Sequence, residues 1–374
     1  MKISIDQHEL QRGLARLQSV TEKRNSMPIL ANILIQVREV DDGGELELAA
    51  TDLEVGIRSQ HSCEVAESGA ITVSGKKFYE IIRELPDERV EIATTENAYL
   101  SIRCARSEFS LAGSAADEYP TLPVFSPERT FQVQAMVVGE MIEKTMYAAS
   151  NDEARYNLNG VYLEQIEEAG KLRMVATDGH RLAYVDRSFG SSLEGFADGV
   201  IVPRKGLSEL KKLVDEDDTH ELELGFEGNN GLARKGGVTL TLRLIEGEFP
   251  NYRNVIPEEG SQRLVVDRER FVQALRRVSL LSSERSRAVN LEFSSGEVSL
   301  TSKNPDLGEA RETLDVDFAG ESLVIAFNAR YLMEALNAPG TKEICLSFKD
   351  ALSPIRVTPT DDDDVLGVVM PMRV

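Results

Sequence analysis

The sequence predicts an α+β protein assembled from one module used three times in succession, each copy carrying two helices packed on antiparallel sheet. Three observations lead there. Short amphipathic segments recur in pairs, β-branched alternating segments fill the intervals, and independent landmarks in both repeat at offsets between 124 and 132 residues. A chain of 374 residues can hold about two to four ordinary domains. The repeat divides it at 1–127, 128–253 and 254–374.

The first helix of each copy is expected to begin near Asp6, Val138 and Asp267, at offsets of 132 and 129. Its apolar face is Leu10, Leu14 and Leu17 in the first copy, Met141, Ile142, Thr145 and Met146 in the second, and Phe271, Leu275 and Val278 in the third. Spacings of three and four put each set on one side of a helix. The second helices are expected near Lys76, Arg204 and Asn328, at offsets of 128 and 124. Phe78, Ile81, Ile82 and Leu85 face inward in the first; Leu207, Leu210, Leu213 and Val214 in the second; Tyr331, Leu332, Ala335 and Leu336 in the third.

Strand landmarks keep step. ELELAATDLEVGI (45–57) matches KLRMVATDGHRLAYV (171–185), with Asp52 and Asp178 126 apart, and FSLAGSAADEYP (109–120) matches TLRLIEGEFP (241–250), with Pro120 and Pro250 130 apart. ILIQV (33–37), YLSIRC (99–104), VTLTLRL (238–244) and VLGVVMPM (365–372) read as strands by β-branched content and alternation. Chance likeness between α+β segments would not preserve the order of elements as well.

Composition narrows the class. The hydrophobic share of 41% suffices for real cores, and no apolar run approaches the roughly 18 residues that span a bilayer. Asp6, His8 and Glu9 interrupt the stretch a signal peptide would need, so a cytoplasmic protein is expected. Cys63, Cys104 and Cys345 are odd in number and far apart, fitting neither a disulfide framework nor zinc-ligand spacing; they read as reduced structural thiols, with no metal and no cofactor expected.

The net charge of −21 argues against tight binding to phosphates. The distribution of that charge weakens the objection: the six helical segments together carry +4, leaving −25 for the rest of the chain. A face gathering those helices would be mildly basic inside an acidic shell, suiting weak, salt-sensitive, sequence-blind contact with a polyanion. Basic helix exteriors are also commonplace, so charge alone leaves both readings open. With no Trp and little interleaving of aromatic and basic residues, a single-strand platform is not indicated.

Catalytic motifs are scarce. Gly75-Lys76-Lys77 is the nearest approach to a phosphate-binding loop and lacks its Ser/Thr, and GxSxG, HExxH and paired CxxC do not occur. Thr177-Asp178-Gly179-His180-Arg181 is the most enzyme-like stretch, but no candidate nucleophile accompanies it. Asp361 to Asp364 read as a solvated loop rather than a metal site. The C-terminal Val368-Val369-Met370-Pro371-Met372-Arg373-Val374 would bury alternate residues as a strand, or line a groove for short hydrophobic peptides with its Met-rich end. A polyspecific peptide-binding scaffold and a hydrolase using Asp178 and His180 are two classes these stretches allow.

The threefold repeat together with ATDGHRLA (176–183), VPRKG (202–206), FPNYRNVIP (249–257), MPIL (27–30) and terminal VVMPMR (368–373) resembles the bacterial DNA polymerase sliding clamps, from Met1 to Val374. The resemblance implies three clamp domains forming half of a closed ring. The whole would be a head-to-tail homodimer encircling double-stranded DNA without sequence preference, with helices lining the hole. It also implies a separate ATP-driven loader and no catalysis by this chain. Partners would be the replicative polymerase, the loader, and other polymerases and repair proteins through short linear motifs.

By the same carry-over, the motif pocket between the second and third domains comprises Leu158, Thr177, Gly179, His180, Arg181, Leu182, Pro250, Val255, Leu352, Pro354, Val368, Val369, Met370, Pro371, Met372 and Arg373, with Arg181 and Arg373 as polar anchors at its edge. Asn157 and Asn254 stand where well-studied relatives carry Tyr and Arg. DNA contacts fall to Arg24, Lys76, Tyr156, Arg204 and Lys205, with Arg12, Arg276 and Arg277 added from their helices alone. At the subunit interface Phe109, Leu280 and Leu281 would pack, and Lys77, Arg103 and Arg106 would face Glu309 and Glu312.

Overall fold

A computed structural model describes residues 1–21, 27–41, 43–123, 130–166, 170–189, 199–216, 220–283 and 286–373. They form two compact units, Met1–Ala135 with Ser208–Leu244, and Met136–Leu207 with Ile245–Val374. The expected 127/128 boundary lies outside the described residues.

In the first unit twelve antiparallel strands follow the order Lys2–Asp6, Arg89–Thr95, Tyr99–Cys104, Ser107–Ser114, Gly69–Ser74, Asn32–Val40, Gly43–Thr51, Val55–Glu67, Val238–Arg243, Asn230–Lys235, Glu221–Glu227 and Thr130–Gln134. Lys2–Asp6 also pairs with Val55–Glu67, closing the first eight strands on themselves. The second unit holds an eight-stranded sheet in the order Val200–Pro203, Gly160–Gln165, Lys171–Thr177, Arg181–Ser188, Val365–Val369, Ile355–Pro359, Glu343–Phe348 and Gln262–Asp267. Its other sheet runs Gly308–Asp315, Glu297–Asn304, Ala288–Ser294, Leu323–Asn328.

Among the described residues there are six α-helices: α1 (Gln7–Thr21), α2 (Gly75–Glu84), α3 (Ala135–Thr145), α4 (Arg204–Val214), α5 (Arg268–Ser279) and α6 (Ala329–Asn337). All six lie where the sequence period puts them, though α3 starts three residues before Val138. Side-chain caps fix several starts. Asp6 accepts from His8 N–H and Glu9 N–H, Asp267 from Arg270 N–H, and Asn328 from Arg330 and Tyr331 N–H. Leu10, Leu14 and Leu17 of α1, and Leu332, Ala335 and Leu336 of α6, are buried as expected. Ile81, Met146 and Tyr331 are only half-buried, and Met146 falls just past the end of α3, in the 3₁₀ turn Met146–Ala148.

Two hairpin turns, 126 residues apart, share one chemistry. Thr51 Oγ1 donates to Val55 O and accepts from Leu53 N–H, while Asp52 Oδ1 accepts from Glu54 and Val55 N–H. Thr177 Oγ1 donates to Arg181 O and accepts from Gly179 N–H, while Asp178 Oδ1 accepts from His180 and Arg181 N–H. The third turn residue has positive φ in both, 74° at Leu53 and 86° at Gly179. That conformation is free to glycine and costs leucine energy, so the turn's side-chain bonds hold Leu53 there.

The C-terminal strand differs from expectation. It ends at Val369, and all five residues from Val365 are buried rather than alternate ones. It is a central strand, paired on both edges, with protein on both faces. The acidic run before it is tied down by cations: Lys171 meets Asp364 at 2.9 Å and Arg187 meets Asp362 at 2.6 Å.

Candidate functional site

The second unit carries an apolar cavity of about 400 Å³. Its floor follows from strand pairing. Arg181–Ser188 runs antiparallel to Val365–Val369, opposing Leu182 to Val368 and Arg181 to Val369. Alternation sends neighbouring side chains to opposite faces. Leu182 and Val368 therefore join Val175, Tyr252 and Leu366 in one cluster, while Val369 enters the separate core built around α5 and α6. Met370 N–H, donating to His180 O at 2.9 Å, carries the chain past the ladder and over the opening.

The walls come from four other places. The Thr177–Arg181 turn supplies Thr177, Gly179 and Arg181, the Pro250–Val255 stretch supplies Pro250, Asn251, Tyr252 and Val255, and Leu158 and Pro354 complete the lining. Tyr252 is held firmly at the back. Its hydroxyl donates to Glu164 and accepts from Arg173 at 3.2 Å, and burial pushes its pKa up to about 12. Arg173 is in turn gripped by Asp186 at 2.6 Å and lies 4.2 Å over the Tyr184 ring.

Arg181 departs from its expected part. It is buried, not an edge anchor: Nε donates to Asp178 Oδ2 at 3.1 Å, Nη1 donates to Glu334 of α6, and the guanidinium lies 4.4 Å over the Tyr331 ring. Glu334 loses hydration, yet hydrogen bonds from Arg181 and Arg330 hold its carboxyl below the ordinary Glu value. Burial raises the Tyr147 hydroxyl, which stays neutral beside this pair. Arg181 thus positions the turn and the cavity wall with its own charge already matched.

Ten of the sixteen expected pocket residues line the cavity: Leu158, Thr177, Gly179, Arg181, Leu182, Pro250, Val255, Pro354, Val368 and Met370. The other six do not. Val369 points into the core, His180 stacks on Tyr331 with centroids 6.2 Å apart, and Leu352 stands 76% exposed. Pro371, Met372 and Arg373 run on beyond, where Met372 N–H donates to Ala326 O at 2.7 Å. Sequence reasoning misses Asn251 and Tyr252, although both lie inside the FPNYRNVIP segment. Asn157 donates from its amide to Glu248 O at 3.1 Å. The Asp178 carboxylate is engaged by backbone N–H groups and Arg181, which leaves His180 without the orienting acid a hydrolase would need.

The expected DNA-facing residues divide. Lys76 is exposed on the first turn of α2, and Tyr156 is 57% exposed. Arg204 is half-buried, its Nη1 donating to Met146 O at 3.2 Å and Ala149 O at 2.9 Å, with burial lowering its pKa; Lys205 is half-buried as well. The Nη1 group of Arg204 is therefore engaged by the backbone of its own module. Arg24 lies outside the described residues. Arg12 pairs with Glu9 at 3.1 Å and Arg277 with Glu312 at 2.5 Å, so part of the helical positive charge is internally matched; Arg276 is exposed.

At the expected interface, Leu280 is 75% exposed, Phe109 is exposed and Leu281 is half-buried. The charged residues have partners within the chain: Lys77 with Glu80 at 2.7 Å, Arg103 with Glu108 at 2.7 Å, and Glu309 with Lys303 at 3.3 Å; Arg106 is exposed.

Among the described residues no helix is long and apolar enough to cross a membrane. Models of the DNA polymerase III beta subunit match the chain in order: the N-terminal domain at residues 1–123, the central domain at 132–251 and the C-terminal domain at 253–373. The Caulobacter vibrioides beta sliding clamp is 36% identical and the Escherichia coli beta sliding clamp 35%, each alignment covering 100% of both chains. A Pseudomonas aeruginosa sliding clamp structure, bound to griselimycin, is 34% identical, covers 100% of both chains and matches with a TM-score of 0.93. This chain belongs to the DNA polymerase III beta-subunit family: it is a DNA sliding clamp, a replication processivity factor and not an enzyme.

Proposed function

We propose that two copies of this chain close head to tail into a ring around duplex DNA, and that the 400 Å³ cavity in each copy receives short linear motifs of polymerases, the loader and repair proteins. One observation carries the ring. Val55–Ser59 pairs with Val238–Leu242, and Arg181–Val185 pairs with Val365–Val369. Among the described residues the repeat's third counterparts, Gly308–Asp315 and Ser107–Ser114, have no such pairing: the former is a sheet edge, and the latter meets Gly69–Ser74 only through Gly113 and Ser114. A second copy offers each open strand the partner its two counterparts already have.

In this reading the modules are 1–127, 128–253 and 254–374. Lys76, Tyr156, Arg204, Lys205 and Arg24 serve the DNA face, and Phe109, Leu280 and Leu281 the subunit joint. Few phosphates are touched at once, so the ring holds DNA by threading rather than by affinity. The family's part in DNA replication favours the cytoplasm as its location. The cavity's apolar lining, with a Met at its mouth, suits partners of varied sequence.

Retention on circular DNA tests the ring. The loaded protein should stay on a nicked circle and leave when the circle is linearised; retention that survives linearisation would refute threading.

A further inference from the structure

The strand pairing that frames the large cavity occurs again in the first unit, and most of the cavity wall recurs with it. Val55 and Gly56 pair with Leu242 and Thr241, as Arg181 and Leu182 pair with Val369 and Val368. One step beyond each ladder, Arg243 N–H donates to Glu54 O at 2.8 Å, as Met370 N–H donates to His180 O at 2.9 Å. The two Thr-Asp turns close the same end of each.

These elements enclose a second cavity, of about 270 Å³. The matching turns and the sequence repeat put Thr51, Leu53 and Pro120 where the larger cavity has Thr177, Gly179 and Pro250. Strand register likewise sets Asn230, Thr241 and Arg243 against Pro354, Val368 and Met370, and all of these line their own cavity. A likeness this complete is inherited from the repeat rather than produced by surface irregularity.

The differences define a different ligand. Leu122, counterpart of Tyr252, packs so closely on Gly56 that a Cβ there would lie 2.5 Å from it, and this makes the space smaller. The buried Arg181 is replaced by Val55, which removes an internal ion pair from the wall. Met370 at the mouth is replaced by Arg243, exposed and without an ion pair among the described residues. Glu54 lines the same cavity, so an acid placed at Arg243 is accepted and one placed at Glu54 is repelled.

We propose that this second cavity binds a short extended peptide in which an aliphatic side chain sits beside a carboxylate. The aliphatic group enters between Leu53 and Leu122, and the carboxylate meets Arg243. The proposal rests on the reading of the larger cavity as a peptide site.

Methyl NMR of the full-length protein, titrated with acetyl-Gly-Leu-Glu-Leu-Gly-amide, tests it. Saturable shifts should appear at Leu53, Val55 and Leu242, and the exposed change Arg243→Glu should weaken that binding by about fivefold or more while leaving the Leu182 and Val368 signals unchanged. The peptide with Lys in place of Glu should bind less well; equal binding would overturn the assignment to Arg243. Shifts confined to Leu182 and Val368, or shifts at neither set, would overturn the second site. A peptide from a replicative polymerase tail, followed at Leu182 and Val368, reports separately on the larger cavity.

Discussion

Arg181 and Glu334, 153 residues apart in sequence, form a hydrogen-bonded ion pair that ties the hairpin beside the large cavity to helix α6. Asp178 and the Tyr331 ring complete the cage around the guanidinium. Arg181→Ala leaves two carboxylates near one another without the cation between them, and should cost about 3 kcal/mol of unfolding free energy. Arg181→Lys keeps the charge but loses the planar fork and the stacking, so it should recover only part of that loss. The sign of the acid dependence follows from Glu334, whose folded pKa is lowered. Its contribution is present above the unfolded Glu pKa and is lost as pH falls through the lower folded value. Denaturation midpoints measured below about pH 4.5 should therefore fall less steeply in Arg181→Ala than in the parent.

His61 gives a second pH dependence, nearer neutrality. Burial lowers its pKa, the hydrogen bond to Glu9 opposes this in part, and Arg16 adds to the lowering. Ser59 Oγ sits 2.8 Å from Nε2. The unfolded chain takes up this proton first, so stability is level above about pH 6.5 and declines as pH drops toward the folded pKa. His61→Gln should flatten that decline in urea titrations run from pH 7 to 5, and an unchanged slope would assign it to another group.

The space around His61 depends on Gly13 of α1, where a Cβ would lie 2.4 Å from His61 Nε2 and 2.9 Å from Leu48 Cδ1. Gly13→Ala must push a buried ring against a sheet, and should destabilise by about 1–3 kcal/mol despite alanine's better helix propensity. Pairing it with His61→Ala should return most of the loss, because the two changes act on one contact.

Helices are legible in the sequence because their burial follows a fixed period: Leu10, Leu14 and Leu17 occupy the core as their spacing requires. The repeat is legible for the same reason, and the equivalence of Asp52 and Asp178 becomes two turns with matching hydrogen bonds. Side-chain partners are not legible. Arg181 reads as a rim residue because a cation beside an apolar groove ordinarily stays wet, and nothing near it in sequence announces Glu334. Val369 reads as a pocket residue alongside Val368 because pairing with neighbours on both edges, which buries both faces of that strand, is a tertiary fact. Tyr252 escapes notice although aromatic, since its place in the wall depends on bonds to Glu164 and Arg173.

Met370 lines the large cavity, and the residues after it are fastened by Met372 N–H on Ala326 O. Removing Met370 to Val374 leaves the strand Val365–Val369 and its ladder intact. Affinity for a polymerase-tail peptide should fall by about tenfold or more, because one wall and its apolar contact are lost. Light scattering should still report a dimer. Undiminished peptide affinity would exclude Met370 and its followers from the binding surface.

Phe109 and Leu280 carry the prediction about assembly. Phe109 lies on Ser107–Ser114, which from Ser107 to Ala112 pairs on one edge alone among the described residues. Leu280 follows α5, which packs against Gly308–Asp315, a strand paired among the described residues only with Glu297–Asn304. Open strand edges beside large exposed apolar side chains are unstable toward association unless something covers them. Lys303–Glu309 and Arg103–Glu108 are surface pairs worth little each, so they can exchange partners at small cost when a second copy docks. The apolar pair should therefore dominate. Phe109→Asp or Leu280→Asp should raise the dimer dissociation constant by about 30-fold, whereas Arg103→Ala should shift it by less than about fivefold. Sedimentation at graded concentrations separates these outcomes. If the arginine change splits the dimer and the apolar changes do not, the joint is electrostatic and this assignment of its core is wrong.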